Sequence, residues 1–299
     1  MAMTDRRAWL LPWACSLLLS GCAASPERPG APGPVASAEV VPVPGYSIAR
    51  EVPQGGLLVG QVPKGSRLQF DGRAIRVDAD GRFVVGVART QNEPLKLAVD
   101  LPDGRRADVE VAVVARTFPL ERVDGVPEDT VNPPPEIAER IAREQAEVDA
   151  ARRRDDDRDD YDAHFIWPVQ GRISGVFGSQ RIYNGTPKSA HSGLDIAAAQ
   201  GTAVQAPAGG IVTFANPDLY LTGGTVLIDH GHGVSSNFLH LSRIDVAVGE
   251  HIEQGQVIGL VGKTGRATGP HMHWGMNWFG VRVDPQLLVD PAGNPQSSP

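Results

Sequence analysis

The chain has 299 residues, with 28 Lys and Arg against 35 Asp and Glu, which gives a formal net charge of −7 at pH 7. Its 41% hydrophobic and 21% charged residues are typical of a globular protein of one large or two modest domains. The acidic balance argues against nucleic acid as the main partner. Both cysteines, Cys15 and Cys22, lie near the N-terminus, which excludes a disulfide framework or a cysteine nucleophile in the rest of the chain.

The N-terminal segment is predicted to be an export signal. Two arginines precede the apolar stretch Ala8–Leu19, whose 12 residues are typical of a signal peptide. A helix that crosses a bilayer needs about 20 residues. The next residues, Leu19-Ser20-Gly21-Cys22, resemble the bacterial lipoprotein signal, in which the cysteine thiol carries the lipid. A plain secretory signal is the alternative. We therefore predict a signal peptide over residues 1–21 and a periplasmic protein, lipid-anchored through Cys22 to the outer membrane of a Gram-negative bacterium.

Residues 22–44 and 45–117 differ in pattern. The first range is rich in Ala, Pro, Gly, Ser and Val and is predicted to be a flexible tether. The second alternates apolar and polar residues, as in Leu95, Leu97 and Val99, and pairs such as Asp71-Gly72 separate the predicted strands. This pattern predicts a small antiparallel β-sandwich-like domain. It has no cluster of metal-ligating or paired acidic residues, which favours a spacer or binding role.

Residues 118–164 are predicted to be a linker that contains one helix and a run of charges. Three consecutive prolines, Pro133–Pro135, precede apolar residues at helical spacing, such as Ile137 and Ile141. The run from Arg152 to Asp160 consists only of charged residues, whose signs nearly cancel. Such a run is predicted to be a solvated helix end or linker, and contact with a partner protein is the alternative.

Residues 165–288 are predicted to form a second domain, and residues 289–299 a disordered tail. The domain is dense in glycine, and short β-type runs such as Thr225–Ile228 recur in it. It also holds seven of the eight histidines. The predicted fold class is therefore mainly β: a sandwich-like N-terminal domain, a helical charged connector and a β-rich C-terminal domain.

The residues His191 and Asp195, and then His271 and His273, are candidate metal ligands. Zinc favours imidazole and carboxylate ligands, and a catalytic zinc keeps one position open for water. Side chains two apart on a strand point to the same face, so His271 and His273 could line one groove. His240 alternates with apolar neighbours and could face the same groove. From spacing alone, a set of unrelated loop histidines is the alternative.

The remaining histidines have simpler interpretations. His230 and His232 have ligand-like spacing, but they lie among glycines after a predicted strand, where a hairpin turn is expected. His164 and His251 stand in polar surroundings without a partner motif and are predicted to be surface residues.

Four motifs, in this order, resemble those of the lysostaphin-type (LytM-like) zinc metallopeptidases, which cut peptidoglycan cross-bridges. They are His191-Ser-Gly-Leu-Asp195, His230-Gly-His-Gly233, His240-Leu241 and Gly265-Arg-Ala-Thr-Gly-Pro-His-Met-His273. The resemblance covers residues 165–285. It implies a C-terminal lysostaphin-type domain in which His191, Asp195 and His273 bind one zinc ion per chain. It also implies that His240 and His271 are catalytic.

Two positions depart from the family pattern. Phe238 stands where family members often have Tyr, so any contribution of a phenol is absent. Met272 replaces the usual Leu between the two histidines, an apolar change of similar volume whose effect should be mild.

The function that the resemblance implies is a zinc-dependent peptidoglycan DD-endopeptidase, which hydrolyses cell-wall peptide cross-links with metal-activated water. The alternative is a noncatalytic envelope scaffold or an activator of another cell-wall hydrolase. Glycine-rich loops are expected to wall a groove, with Tyr183, Asn184 and Tyr220 as candidate substrate contacts. Turn or core packing is the alternative for both tyrosines. The expected partners are peptidoglycan and, through the lipid anchor, the membrane. An envelope protein is a further candidate as regulator, and no nucleic acid is expected.

Overall fold

The computed structural model describes residues 46–124 and 133–294. The predicted signal peptide 1–21, the predicted tether 22–44 and the predicted lipidation site Cys22 lie outside these ranges. Within them, no helix combines the length and the apolar character needed to span a membrane.

The N-terminal part contains two sheets that share one core. One sheet has the order β1-β3-β6, and the other has the order β2-β8-β7-β4-β5. The strands are β1 (Ser47–Ile48), β2 (Glu51–Pro53), β3 (Leu57–Gln61), β4 (Arg67–Phe70), β5 (Arg73–Ile75), β6 (Arg82–Gly86), β7 (Leu95–Asp100) and β8 (Arg106–Val114). The alternating Leu95, Leu97 and Val99 are all buried in that core, as the period of two predicts.

The C-terminal part is built on one large antiparallel sheet. It contains β10 (Arg172–Gly175), β13 (Gly193–Ala197), β15 (Gly210–Leu219), β16 (Gly223–Asp229), β17 (Val234–Leu241), β19 (His251–Ile252), β21 (His271–Trp278) and β22 (Val281–Val283). The strand order is β10-β13-β21-β17-β16-β15-β19, and β22 pairs with the end of β21. A smaller sheet has the order β14-β20-β18, from Ala203–Gln205, Val257–Leu260 and Arg243–Ile244.

Strand β21 shows why this sheet has a polar face. Met272, Trp274 and Met276 are fully buried in the core. Because successive side chains of a strand point to opposite faces, the odd-numbered residues from His271 to Asn277 lie on the other face. The same alternation places Asp195 of β13 and Asn237 of β17 on that face, which we call the polar face.

The apolar core is continuous between the two predicted domains. A Cβ atom added to Gly86 of β6 would lie 2.4 Å from the Cβ atom of Trp278. The Phe70 ring is 6.2 Å from that of Trp278, and the Arg73 guanidinium lies 3.5 Å from the ring centre of Phe279. The N-terminal sheets therefore cover apolar side chains of the large sheet directly.

One strand and one helix of the connector contact the C-terminal part. Strand β9 (Leu120–Val123) runs parallel to β11 (Gln180–Tyr183), which also pairs with β12 (Thr186–Pro187). The helix is present as predicted, as α1 (Pro135–Ala151), with two prolines at its start. Its Val148 packs against Leu219 and Leu227, which anchors the helix to β15 and β16.

Most residues of the charge run are exposed, which fits the predicted solvated run, but Asp155 and Arg158 pair with distant parts of the protein. Arg158 forms an ion pair with Asp229, a buried residue at the end of β16. Asp155 accepts from Arg76 at 2.7 Å. A Cβ atom on Gly231 would lie 2.0 Å from the Arg158 carbonyl oxygen, so this glycine allows the close approach. The counter-charge lies 71 residues away in sequence, where local charge patterning cannot reveal it.

The structure describes the first six residues of the predicted tail, and part of them packs against the domain. Short 3₁₀ helices cover Pro285–Leu288 and Pro291–Gly293. Val289 and Asn294 are buried, and the Trp167 indole donates to the Asp290 carbonyl at 2.8 Å. Residues 289–294 thus differ from the predicted disordered tail, and residues 295–299 lie outside the described ranges.

Candidate metal centre and active site

Two of the candidate ligands lie on neighbouring strands. Asp195 of β13 is directly opposite His273 of β21 in the antiparallel register. His191 precedes β13, and its backbone N–H donates to the Ser179 carbonyl at 2.8 Å. The His191 Nδ1 atom lies 3.0 Å from the Val176 carbonyl oxygen. Because a carbonyl only accepts, Nδ1 carries the proton and Nε2 keeps a lone pair that faces Asp195.

The three donor atoms form a compact triangle. Asp195 Oδ1 is 3.1 Å from His191 Nε2 and 2.8 Å from His273 Nδ1, and the two nitrogens are 3.1 Å apart. Tetrahedral bonds of about 2.0–2.1 Å would separate the ligands of a zinc ion by about 3.3 Å. The donor set and its spacing therefore fit zinc with little rearrangement. Within residues 46–124 and 133–294, these three residues are the one group of His, Cys, Asp or Glu side chains that lie close enough together to hold a metal ion.

The protonation states also suit a metal. Burial acts to raise the pKa of the Asp195 carboxyl, but the adjacent His191 and His273 outweigh it and hold that pKa well below its usual range. Burial lowers the pKa of His273. An ionised carboxylate and neutral imidazoles are the forms that bind a divalent cation.

Two glycines leave room for the ligands. A Cβ atom on Gly175 would lie 2.5 Å from Asp195 Oδ2, and one on Gly193 would lie 2.7 Å from His273 Nε2. A side chain at either position would displace the side chain of a candidate ligand, which explains the glycine beside each of them.

The other two candidate histidines lie next to this triangle. The rings of His240 and His271 are 4.7 Å apart. His240 Nδ1 is 2.8 Å from the Thr264 carbonyl oxygen, and His271 Nδ1 is 2.9 Å from that of Gly269. Both Nδ1 atoms therefore donate, and both Nε2 atoms are left as proton acceptors. His271 Nε2 lies 3.9 Å from Asp195 Oδ1, which places this acceptor at the edge of the donor triangle.

His240 has an unusual backbone conformation. Its φ angle is +65°, in the left-handed region, and the register between β16 and β17 shifts between Gly224 and Val226, near this residue. Its N–H donates to the Thr222 carbonyl at 2.8 Å. Such a conformation costs on the order of 1–3 kcal/mol and is often found at functional sites. Burial, aided by neighbouring His271, lowers the pKa of His240 to about 4, so its imidazole is neutral near pH 7.

Comparison with known proteins places this constellation in a family. Residues 189–285 match the profile of peptidase family M23. A crystal structure of a Pseudomonas aeruginosa protein assigned to peptidase M23 is 35% identical, with a TM-score of 0.62, and the match covers 79% of this chain and 94% of that one. The chain belongs to peptidase family M23. Its C-terminal part has the M23 peptidase fold, which confirms the resemblance to lysostaphin-type enzymes.

Two named relatives match the M23 region alone. The DD-carboxypeptidase/endopeptidase Mpg of Neisseria meningitidis is 41% identical over 123 residues, which are 41% of this chain and 28% of that protein. The peptidoglycan DD-endopeptidase ShyA of Vibrio cholerae is 40% identical over 111 residues, 36% of this chain and 26% of that protein. The chain thus matches little more than a quarter of the length of either relative.

The M23 site includes one residue that the sequence reasoning missed. The Arg181 Nη2 atom donates to Asp195 Oδ2 at 3.3 Å, and its Nε atom donates to Glu121 Oε2 at 3.2 Å. Arg181 therefore holds the carboxylate oxygen that does not face the histidines. The contact depends on the pairing of β9 with β11, and no local motif indicates it.

The predicted groove residues lie on two hairpins of the M23 domain. Tyr183 and Asn184 are in the hairpin of β11 and β12, where Asn184 has a φ of +49°. Tyr220 follows β15, is 38% exposed, and donates its N–H to Glu144 Oε2 at 2.8 Å. Its ring centre lies 5.6 Å from the Arg140 guanidinium carbon of α1. Contact of these three residues with substrate stays a prediction.

Both departures from the family pattern fall on the core face. Phe238 and Met272 are fully buried. A hydroxyl on the Phe238 ring would therefore enter the apolar core of this M23 domain.

The remaining histidines lie as predicted. His230 and His232 border the turn between β16 and β17, and His230 is held by the Gly209 carbonyl and the Ser236 hydroxyl at 2.6 and 2.8 Å. His164 and His251 are exposed.

Proposed function

We propose that this M23 protein is a zinc-dependent DD-endopeptidase that hydrolyses the peptide cross-links of peptidoglycan. The observation that carries the proposal is the donor triangle of His191, Asp195 and His273 with His240 and His271 beside it. The names of the relatives Mpg and ShyA support the choice of peptidoglycan as substrate. Because all five residues are present, the noncatalytic scaffold is the weaker alternative.

The roles of the residues follow from their geometry. His191 Nε2, Asp195 Oδ1 and His273 Nδ1 would hold one zinc ion per chain. Bound there, zinc would polarise the scissile carbonyl and lower the pKa of a water molecule to about 7. His271 Nε2 and His240 Nε2 are the available proton acceptors for that water. A histidine that has accepted the proton carries Nε2–H, which it can donate to the developing oxyanion or to the leaving amine.

The anchoring and location rest on sequence alone. We propose that the protein is exported to the periplasm and held at the outer membrane by a lipid on Cys22, so that it reaches the cell wall. Regulation by another envelope protein is part of this proposal.

The direct test is digestion of purified peptidoglycan by the full-length chain in detergent, followed by analysis of the muropeptides. Zinc-loaded protein should reduce the cross-linked dimers, a chelator should stop the reaction, and added zinc should restore it. Unfolded protein serves as a control substrate, and its cleavage at a similar rate would contradict the assignment to peptidoglycan. Zinc-loaded protein that leaves the dimers intact would refute the endopeptidase and favour the scaffold.

A further inference from the structure

The two oxygens of the Asp195 carboxylate have different surroundings. Oδ1 faces the donor triangle, at 3.1 Å from His191 Nε2 and 2.8 Å from His273 Nδ1. Oδ2 instead accepts from Arg181 Nη2 at 3.3 Å. A Cβ atom on Gly175 of the neighbouring strand β10 would lie 2.5 Å from Oδ2, so the backbone comes close to this oxygen as well. One oxygen is therefore presented to a metal, and the other is occupied by Arg181.

Arg181 is itself held by the connector. Glu121 of β9 lies directly opposite Arg181 of β11 in the parallel register, and its Oε2 atom accepts from Arg181 Nε at 3.2 Å. The guanidinium thus joins two carboxylates through separate N–H groups of one rigid plane, an arrangement that a lysine ammonium on its flexible stem does not reproduce. Because Glu121 balances the charge of Arg181, the pair adds little net charge beside the metal centre.

We propose that Arg181 is a positioning residue that restricts Asp195 to binding zinc through Oδ1 alone. The inference rests on the proposed function, since it assumes the zinc centre. A carboxylate can bind a metal ion with one oxygen or with both, and the second oxygen takes up a further coordination position. A catalytic zinc site has three protein ligands and keeps the next position open. By occupying Oδ2, Arg181 prevents Asp195 from filling that position.

The first measurement is the zinc affinity of the full-length protein, by competition with a coloured chelator. The double variant Arg181→Met with Glu121→Gln removes the ion pair without changing the net charge. Loss of a residue that orients a metal ligand typically weakens metal binding about 10–100-fold, so the Kd for zinc should rise by about this factor. The matched control is Arg105→Met with Asp103→Asn, which removes an exposed ion pair of the N-terminal part and should leave the Kd unchanged.

The second measurement uses cobalt(II) in place of zinc, because its visible absorption depends on the coordination geometry. A four-coordinate cobalt ion absorbs much more strongly than one with more ligands. The wild-type protein should show the strong absorption. The double variant should lose most of it, since Oδ2 is then free to bind the metal. Arg181→Lys keeps the charge and one donor group, and it should lose less in both measurements.

An unchanged zinc affinity or an unchanged cobalt absorption in the double variant would overturn the proposal, and so would an equal loss in the control variant. Circular dichroism of the metal-free proteins checks that the variants fold. If the double variant does not fold, Arg181→Lys decides: a partial loss in both measurements supports the proposal, and values equal to those of wild type overturn it. The expected differences in metal binding, together with zinc-loaded wild type that leaves cross-linked dimers intact, would refute the proposed endopeptidase and leave the role of Arg181 standing.

Discussion

The buried ion pair of Arg116 and Asp284 gives a quantitative test of how the N-terminal sheets are joined to the M23 domain. Arg116 Nη2 lies 2.7 Å from Asp284 Oδ2, and the two side chains are 16% and 2% exposed. Arg116 also donates to the Gln54 carbonyl at 2.9 Å. The Asp284 N–H in turn donates to the Gly55 carbonyl at 2.7 Å. The pair therefore lies where the two parts of the core meet.

Replacement of Arg116 should lower the free energy of unfolding. Arg116→Met keeps an apolar stem but leaves the Asp284 carboxylate buried without a counter-charge. Loss of one partner of a buried pair costs about 3–5 kcal/mol, and the lost hydrogen bond to Gln54 adds about 1 kcal/mol. We expect the free energy of unfolding at pH 8 to fall by about 4 kcal/mol. The double variant Arg116→Met with Asp284→Asn should recover most of this loss, because no unpaired charge stays buried.

The loss should also depend on pH. Burial already raises the pKa of Asp284, against the lowering effect of Arg116. Without Arg116 the folded-state pKa should rise further above the unfolded value. The folded variant then binds a proton that the unfolded chain has released, so its stability increases as the pH falls. The difference from wild type should be smaller at pH 5 than at pH 8.

Urea unfolding, followed by tryptophan fluorescence at both pH values, measures these differences. Lys64→Met is the matched control, because Lys64 and Asp80 form an ion pair in which both side chains are mainly exposed, and its removal should change little. A cost below about 1 kcal/mol for Arg116→Met, or an equal cost at pH 5 and pH 8, would contradict the assignment of a buried, unpaired carboxylate.

Three further outcomes are expected. His273→Ala should lose its bound zinc, as measured by mass spectrometry. It should also lose the gain of about 2.7 kcal/mol in the free energy of unfolding that is expected with zinc at 100 times its Kd. An unchanged zinc content would exclude His273 as a ligand. His240→Ala should keep its zinc yet lose most of its activity on peptidoglycan, and full activity would remove its proposed role in proton transfer. Arg158→Met should lower the free energy of unfolding by about 3 kcal/mol, because the Asp229 carboxylate loses its main counter-charge; a loss no greater than that of Arg154→Met would show that the more distant arginine at 3.6 Å carries the interaction.

The candidate ligands could be predicted because they are only a few residues apart within each motif, which fixes much of their relative geometry. His271 and His273 share a face by strand alternation, and Asp195 lies on the strand paired with them. Arg181 could not be predicted in the same way. Its contacts with Asp195 and Glu121 depend on which strands become neighbours, and residue 121 is 60 positions away.

The strands of the N-terminal domain were also accessible from the sequence, since alternation marks buried positions such as Leu97. The continuity of the core was not. Gly86 in β6 allows Trp278 to approach, and neither residue carries a local signal for this contact. The change in composition at the connector predicts two separate domains. Apolar side chains from both of them nevertheless share one core.

The connector contributes to the candidate site because β9 and α1 contact both hairpins near it. Through β9, Glu121 holds Arg181, and Arg181 holds Asp195. Through α1, Glu144 accepts the N–H of Tyr220, in the hairpin whose Thr222 carbonyl accepts the N–H of His240. Each half of the candidate site is thus two contacts away from the connector. Substitutions in the connector should therefore alter metal binding and catalysis without any change to the five site residues.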